Sequence, residues 1–389
     1  MVGRGWIYAC LCLSLTAMPA AWALQWQVDP TMSLSTDYSD NRFLTSENPE
    51  SMAYSSLNLG LQAKRKTESD SIVFTPALRL SRYSSRSEYD NNVYSARIDF
   101  DHVAVRSHWN LITALTRDTT LATAYEATGL VDQKLDRQLL SFRPSYDRSV
   151  TDRLSVTVGL DLNRVNYDNT TGTLLAEYNN ETVSLMANYA LQQKSRLQVS
   201  AAVTSLDLIG VDYRNRDYSL NLGYVRKYSA VLEGDFSIGG HHSTVDGTRL
   251  GMNYSDSKNG WLAAANIRRQ LMAGNASFAI KRSVESSAYG GLLQKDEVSL
   301  ALMRNLKERL HGVITLRLYK TESLADINVD NRDFASLDAR LNWRYSPDLT
   351  ISAGYNRLYN NFRDQAGHAD ANVISVRIAY TGDFRAYGP

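Results

Sequence analysis

From Ala335 to Tyr345 the residues alternate: Ala335, Leu337, Ala339, Leu341, Trp343 and Tyr345 share one parity, and Ser336, Asp338, Arg340, Asn342 and Arg344 the other. Two is the side-chain period of a β-strand, so this segment is a strand with one oily and one charged face. The alternation recurs along the chain. Trp26, Val28, Pro30, Met32 and Leu34 alternate with polar residues, as do Leu57, Leu59 and Leu61, the run Leu154 to Leu162, and Ile374, Val376, Ile378 and Tyr380. A helical period fits none of these windows, and the chain reads as all-β.

The connectors between these runs fall into two alternating sizes. Short ones lie at Lys64–Asp70, Arg106, Ser149, Gln192, Arg226, Met272, Asn305 and Ser346. Longer Asn/Asp/Gly-rich ones include Asp118–Asp136 and a stretch around Asp246. Nine long and eight short connectors imply eighteen strands of roughly ten residues, the length that crosses a bilayer at a tilt. A sandwich or a propeller also alternates, but neither sorts every second connector into a short class on one side, and no blade-length repeat is present. A transmembrane antiparallel up-and-down β-barrel of about 18 strands does so, with short turns on one side and long loops on the other.

The N-terminus points to the same compartment. Arg4, the apolar run Trp6–Ala17 and the Ala21-Trp22-Ala23 site read as a signal peptide cleaved after Ala23. The run is too short to span about 30 Å of hydrocarbon as a helix. The domains are thus residues 1–23, the signal peptide, and 24–389, the barrel. Both cysteines, Cys10 and Cys12, precede the cleavage site, so the mature chain is expected to hold no disulfide, thiol nucleophile or thiolate metal site. With 42 basic and 41 acidic residues and no basic stripe, nucleic acid is not an expected partner. The mature chain is expected to enter its first strand almost at once, without an N-terminal plug or periplasmic domain.

The charged face takes its meaning from closure. An edgeless sheet pairs every backbone group within hydrocarbon; its outer face meets lipid, and at eighteen strands its interior holds water. Parity then predicts an inner wall carrying Lys64, Arg79, Arg97, Arg143, Arg268, Lys281, Arg317, Arg340, Arg344 and Arg377 against Asp29, Asp37, Asp99, Asp101, Asp147, Asp161, Glu233, Asp235 and Asp338. The two signs nearly cancel, so strong ion selectivity is not expected. In sequence order, acids dominate up to Asp161 and bases from Glu233 onward, which predicts a weak field across the lumen. Tyr38, Tyr54, Tyr83, Tyr125, Tyr167, Tyr189, Tyr213, Tyr224, Tyr319, Tyr345 and Tyr359 are expected near the membrane interfaces, where a ring sits in lipid and its hydroxyl in water. Tyr213 and Tyr319 have hairpin packing as an alternative. Loop Asp118–Asp136 either folds inward as a constriction or remains outside as a lid.

On these features the sequence resembles bacterial outer-membrane porin-like barrels. The phrase "PTMSLSTDYSDNRFL" at Pro30–Leu44 is similar to β-barrel proteins of exopolysaccharide operons and exosortase (PEP-CTERM) systems. That resemblance implies export or assembly of polysaccharide across the outer membrane of a Gram-negative bacterium. The alternatives are a diffusion porin and a structural or adhesin-like surface barrel. The last strand, "VISVRIAYTGDF", is similar to the C-terminal signal read by the barrel-assembly machinery, although "RAYGP" follows Phe384. Lipid, lipopolysaccharide, that machinery and, by the same resemblance, polysaccharide and periplasmic export proteins are the expected partners.

No cofactor, metal or enzymatic activity is expected. His241 and His242, adjacent in a strand, face opposite sides and cannot share a metal ion; a solvated rim is expected for both. No Ser/His or Asp/His constellation stands out in the sequence.

Overall fold

The computed structural model describes residues 26–120, 134–168, 170, 173, 175–249, 251–287, 289–324, 331–363 and 367–386. The signal-peptide segment lies outside the described residues. Alternation has become strands β1 (Trp26–Ser39), β2 (Met52–Lys66), β3 (Asp70–Tyr83), β4 (Asn91–Val103), β5 (Ser107–Thr119) and β6 (Asp136–Ser149). They continue as β7 (Leu154–Tyr167), β8 (Tyr178–Gln192), β9 (Ser195–Leu208), β10 (Tyr213–Lys227), β11 (Leu232–Arg249) and β12 (Met252–Leu271). The rest are β13 (Gly274–Ser286), β14 (Leu292–Lys307), β15 (Leu310–Ser323), β16 (Arg332–Arg344), β17 (Leu349–Phe362) and β18 (His368–Thr381).

Among the described residues each strand pairs antiparallel with its neighbour in sequence, and β1 pairs with both β2 and β18. The sheet is therefore a closed barrel of eighteen strands. Beyond Thr381 the chain steps and resumes as β19 (Phe384–Ala386), which pairs with the start of β1 from Val28 to Trp26. Residues 384–386 thus extend the closing seam.

Short turns and both ends of the described chain share one rim. Three turns are built alike: the N–H groups of Val150 and Thr151, of Tyr228 and Ser229, and of Tyr345 and Ser346 donate to the carbonyls of Leu154, Leu232 and Leu349 at 2.8–3.2 Å. The hydroxyls of Thr151 and Ser346 accept from Leu154 N and Leu349 N (3.0 and 3.1 Å), and Ser229 Oγ accepts from Val231 N. Such Ser/Thr turns satisfy the backbone where the ladder stops.

The outer face is apolar, with Leu34, Ile98, Val183, Leu220, Ile238, Leu300, Leu341 and Ile374 exposed on it. Exposed aromatics mark its two margins: Trp109, Tyr189, Trp343, Tyr345 and Tyr380 lie towards the short turns, and Tyr38, Tyr94, Tyr218 and Trp261 towards the long loops. Five of the tyrosines expected at the interfaces lie instead on the inner parity: Tyr54, Tyr83, Tyr167, Tyr213 and Tyr319, the last four buried. Composition marks the strand ends but not the side; parity decides, and these rings pack into the mouth. Tyr125 lies outside the described residues.

The expected long connector around Asp246 is also corrected. β11 and β12 pair continuously from Leu232–Arg269 to Arg249–Met252, a hairpin standing above the other strands. Gly247 (φ 125°) passes within contact of the backbone of Asp212, where a Cβ would lie 2.0 Å from a carbonyl oxygen, so no larger residue fits.

The β1–β18 seam runs from Thr31 opposite Thr381 to Ser39 opposite Val373. Asp40 extends it by one step: its N–H donates to Asn372 O (3.2 Å), and its carboxylate accepts from Asn372 N (2.7 Å) and Asn372 Nδ2 (2.6 Å). Burial pushes the Asp40 carboxyl up, but these hydrogen bonds outweigh it and hold the group below the usual carboxylate range. A carboxyl held low in the folded state stabilises the fold above its unfolded pKa, and the contribution is lost as pH falls through the folded value. Asp40→Asn is therefore expected to lower the melting temperature at neutral pH and to change it little below about pH 3, read by heat-modifiable electrophoretic migration. Equal losses at both pH values would refute the assignment.

Side-chain facing makes a second prediction. Leu220→Arg, on the outer face, is expected to cost about 2–4 kcal/mol in lipid vesicles if it lies near the midplane. Asn221→Arg, one residue on and facing the interior, should be nearly neutral. Urea titrations followed by tryptophan fluorescence compare the two.

Candidate functional site: the polar inner wall

The register assembles the inner wall rung by rung. Arg143 Nε donates to Asp161 Oδ1 across β6 and β7 (3.0 Å), Arg97 Nε to Asp99 on its own strand (2.8 and 3.0 Å), and Arg340 Nη2 to Asp338 (3.3 Å). Arg79 is held by Asn58 Oδ1 (2.7 Å) and Arg377 by Ser33 Oγ (3.0 Å), which lies across the seam. Arg317 meets Glu297 at 3.1 Å. Glu233, Asp235, Arg268 and Arg344 lie on the same parity, and among the described residues their side chains form no ion pair. Exposed pairs of this kind are worth under about 1 kcal/mol each, so they set the field of the wall more than its stability.

Sequence reasoning passed over part of this wall. Lys295 bridges Glu285 (3.4 Å) and Glu297 (3.0 Å), Glu285 also holds Lys281 (3.3 Å), and Glu297 holds Arg317. This chain of charges links β13, β14 and β15. Its signal was present in "LQKDEVSLAL", where Lys295, Glu297 and Ser299 share the parity opposite Val298 and Leu300. Beyond Asp161 the inward charges are of both signs, with Asp217, Asp235 and Glu285 standing among Arg268 and Lys281 on β10–β13. The basic sector is Arg317, Arg340, Arg344 and Arg377 on β15, β16 and β18.

His241 is not at a solvated rim. Its side chain is fully buried, with Nδ1 2.9 Å from Asp217 Oδ1 and 3.2 Å from Ser243 Oγ, and Ser243 in turn donates to Asp217. The ring lies over Gly260, where a Cβ would meet its Nε2 at 2.1 Å. A glycine on β12 thus makes the room that lets an imidazole lie flat against the wall. His242 faces outward as parity requires, against Asn259 Oδ1 (2.8 Å).

Towards the long loops the interior is filled. One apolar core joins Val165, Tyr167, Leu175, Tyr178, Leu206, Leu208, Tyr213 and Val245 to Leu292 and Leu324, bringing the β13–β14 and β15–β16 connectors onto β7–β11. A second gathers Leu44, from the β1–β2 connector, with Tyr319, Phe334, Leu358, Ala369 and Ala371. Of the loop expected as constriction or lid, 121–133 lie outside the described residues. Its two ends meet inside the wall: Arg137 Nε and Nη2 donate to the buried Asp118 carboxylate at 3.0 and 2.9 Å, and Leu135 packs on the first core.

Below the first core a cavity of about 850 Å³ opens on β8–β13. Asn180, Thr182, Gln198, Asn221, Asp235, Asn266 and Lys281 are among its lining residues. Hydroxyls and amides supply most of the hydrogen-bonding groups, an arrangement that can exchange a solute's hydration shell for protein contacts.

No protein-family model matches the chain, and no curated protein matches it in sequence. Its fold is similar to that of the outer membrane protein OpdK from Pseudomonas aeruginosa, with a TM-score of 0.51 at 8% identity over 92% of this chain and 99% of that one. It is likewise similar to OccAB4 from Acinetobacter baumannii (TM-score 0.51, 9% identity, 92% and 98% covered). A third is OccK2 (OpdF) from Pseudomonas aeruginosa, solved in complex with glucuronate (TM-score 0.51, 8% identity, 92% and 98% covered). At these identities the likeness is one of fold.

The buried pair at the mouth separates structural charge from wall charge. Asp118→Ala leaves the Arg137 guanidinium buried without its carboxylate and is expected to cost roughly 3–5 kcal/mol. Asp161→Ala, at the half-exposed pair with Arg143, should cost under about 1 kcal/mol. Chemical unfolding of the two variants in phospholipid vesicles measures the contrast.

Proposed function

We propose that the chain is a passive outer-membrane channel for small hydrophilic solutes. The observation that carries this reading is the closed barrel itself: apolar without, and within lined by hydroxyls, amides and charges of both signs around a polar cavity. The outer membrane is the compartment that this surface fits, since a sheet without edges can lie in hydrocarbon with every backbone group paired. The fold neighbours, an outer membrane protein and one solved in complex with glucuronate among them, agree with it. Outward ion pairs at the long-loop rim, Arg117 with Asp136 and Asp168 (both 3.3 Å), suit contact with lipopolysaccharide head groups.

Export of exopolysaccharide, expected from resemblance, has no support among these neighbours. The two apolar cores at the long-loop rim also argue against it, because a continuous polymer would have to displace both. A small solute needs only the space beside them.

Planar-bilayer recording of the refolded chain tests the reading. Discrete conductance steps with weak ion selectivity are expected, and their absence from correctly folded protein would overturn it. Neutralising the basic sector with Arg340→Gln, Arg344→Gln and Arg377→Gln together should move the reversal potential in a salt gradient towards cations. Deletion of the gene should leave secreted polysaccharide unchanged.

A further inference from the structure

The outward face carries a regular series of positions at the level of the short turns. From Arg148, near the end of β6, two strands along the register and two residues towards the turn lead to Tyr189 on β8. The same step leads from Tyr189 to Arg226 on β10 and from Arg226 to Arg269 on β12. It leads on to Arg304 on β14 and to Trp343 on β16. Two strands at about 4.8 Å and two residues at about 3.4 Å make a step of about 12 Å, inclined by about 35° to the rungs. That slope is the strand tilt of a membrane barrel, so these positions stand at one height. Each lies one to three residues from the short-turn end of its strand, which agrees. Aromatic rings at this height are interface anchors; the four arginines set among them call for another explanation.

Arg148, Arg226, Arg269 and Arg304 are all exposed, and among the described residues none of them has an ion-pair or side-chain hydrogen-bond partner. Arg226 lies over the ring of Tyr228 at 5.3 Å. Directly across from Arg226 stand Ser195 and Gly234, across from Arg269 Leu232 and Ala276, and across from Arg304 Gly274 and Gly312. No carboxylate faces outward at this level on the described strands from β6 to β16. The turns beneath, from β6–β7 to β14–β15, carry Asp152 and Glu308 against Arg153, Lys194 and Arg309, and so do not neutralise the belt. The long-loop margin differs: there Arg117 meets Asp136 and Asp168, Arg214 meets Asp207, and Arg282 meets Asp296. One margin of the apolar face is thus balanced within the protein, and the other is left positive.

We infer that the short-turn margin is a binding belt for phospholipids whose head groups carry net negative charge. The four side chains leave the lipid-facing side of the wall, so they meet the head-group layer, and neither a solute in the lumen nor a protein resting on the turns. An arginine stem lies along apolar surface while its guanidinium reaches the polar layer, and the planar fork matches a phosphate in charge and geometry. The small residues beside Arg226 and Arg304 leave room for that phosphate to approach. A zwitterionic head group brings its own ammonium to an unneutralised cation, so phosphatidylglycerol is favoured over phosphatidylethanolamine. The inference goes beyond the channel reading and depends on it only for the leaflet: short turns on the periplasmic side put the belt in the inner leaflet.

Native mass spectrometry of the full chain folded in detergent micelles, titrated with dioleoyl phosphatidylglycerol or dioleoyl phosphatidylethanolamine, reads the belt independently of conduction. Wild type is expected to take up the glycerol lipid at roughly fivefold lower concentration, the effect of one basic side chain at a charged membrane surface. Arg148→Gln, Arg226→Gln, Arg269→Gln and Arg304→Gln together should bring the two lipids level, with wild-type heat-modifiable migration and conductance. Arg269→Gln or Arg304→Gln alone should remove part of the preference, and Arg216→Gln, on the outward face above Tyr218, none of it. Equal uptake of the two lipids by wild type, or a preference that survives the combined variant, overturns the belt. Equal uptake together with retention of poly-L-glutamate by the same arginines assigns the surface to an acidic protein and overturns it too. Selective uptake by a chain that does not conduct upholds the belt and overturns the channel reading instead.

Discussion

Everything in this molecule depends on closing the backbone hydrogen-bond ladder. A strand edge left open in hydrocarbon exposes N–H and C=O groups that no solvent can satisfy, at several kcal/mol each. The β1–β18 pairing removes that edge, and the seam is reinforced at both of its ends, by β19 against the start of β1 and by the Asp40–Asn372 exchange beyond Ser39. The reinforcement lies where the first and last strands meet, the one pairing among the described strands whose partners no single connector joins.

Closure turns a local alternation into a global partition. Once the sheet has an inside, a residue's parity assigns it to lipid or to water, and a slip of one residue would carry the charges of a strand to the wrong solvent. The partition also frees the inner wall from the usual cost of charge. Arg143 and Asp161, or Arg340 and Asp338, remain half exposed to the lumen, where pairing adds little stability and unpaired groups such as Asp235 and Arg268 are tolerated. Charge becomes costly only at the mouth, where apolar cores exclude water; there Asp118 and Arg137 are paired in bidentate geometry.

The strand count, the closure and the sense of each face were legible in the sequence because all three follow from period and connector length, which are local quantities. The contents of the mouth were not. Tyr167, Tyr213 and Tyr319 read as interface tyrosines by residue type and position, yet they face inward among Leu206, Leu292 and Phe334, partners that arrive from connectors distant in sequence. His241 read as a rim histidine because nothing local announces that Gly260, on the next strand, clears a place for its ring. Lys295 and Glu297 were readable by parity but lay at the margin of a run that opens with "LLQKDE", where alternation is weakest. Local pattern gives the side a residue faces; what it meets there depends on register between strands.

The β11–β12 hairpin explains why polarity misled about its length. "NYSDSKNG" at Asn253–Gly260 has the composition of a loop, and a polar segment in a membrane barrel is reasonably assigned to the outside. It is outside, but as strand. The apolar margin marked by Tyr218 and Trp261 lies near the level at which β12 parts from β13, so above it water can satisfy a free edge and pairing with both neighbours is no longer compulsory. The same margin that relaxes the sequence also lets the wall fork, and the polar cavity reaches that fork. Length of hydrocarbon, not length of strand, therefore sets how far the cylinder must be closed, and whatever passes the long-loop rim meets a wall that is continuous only where lipid demands it.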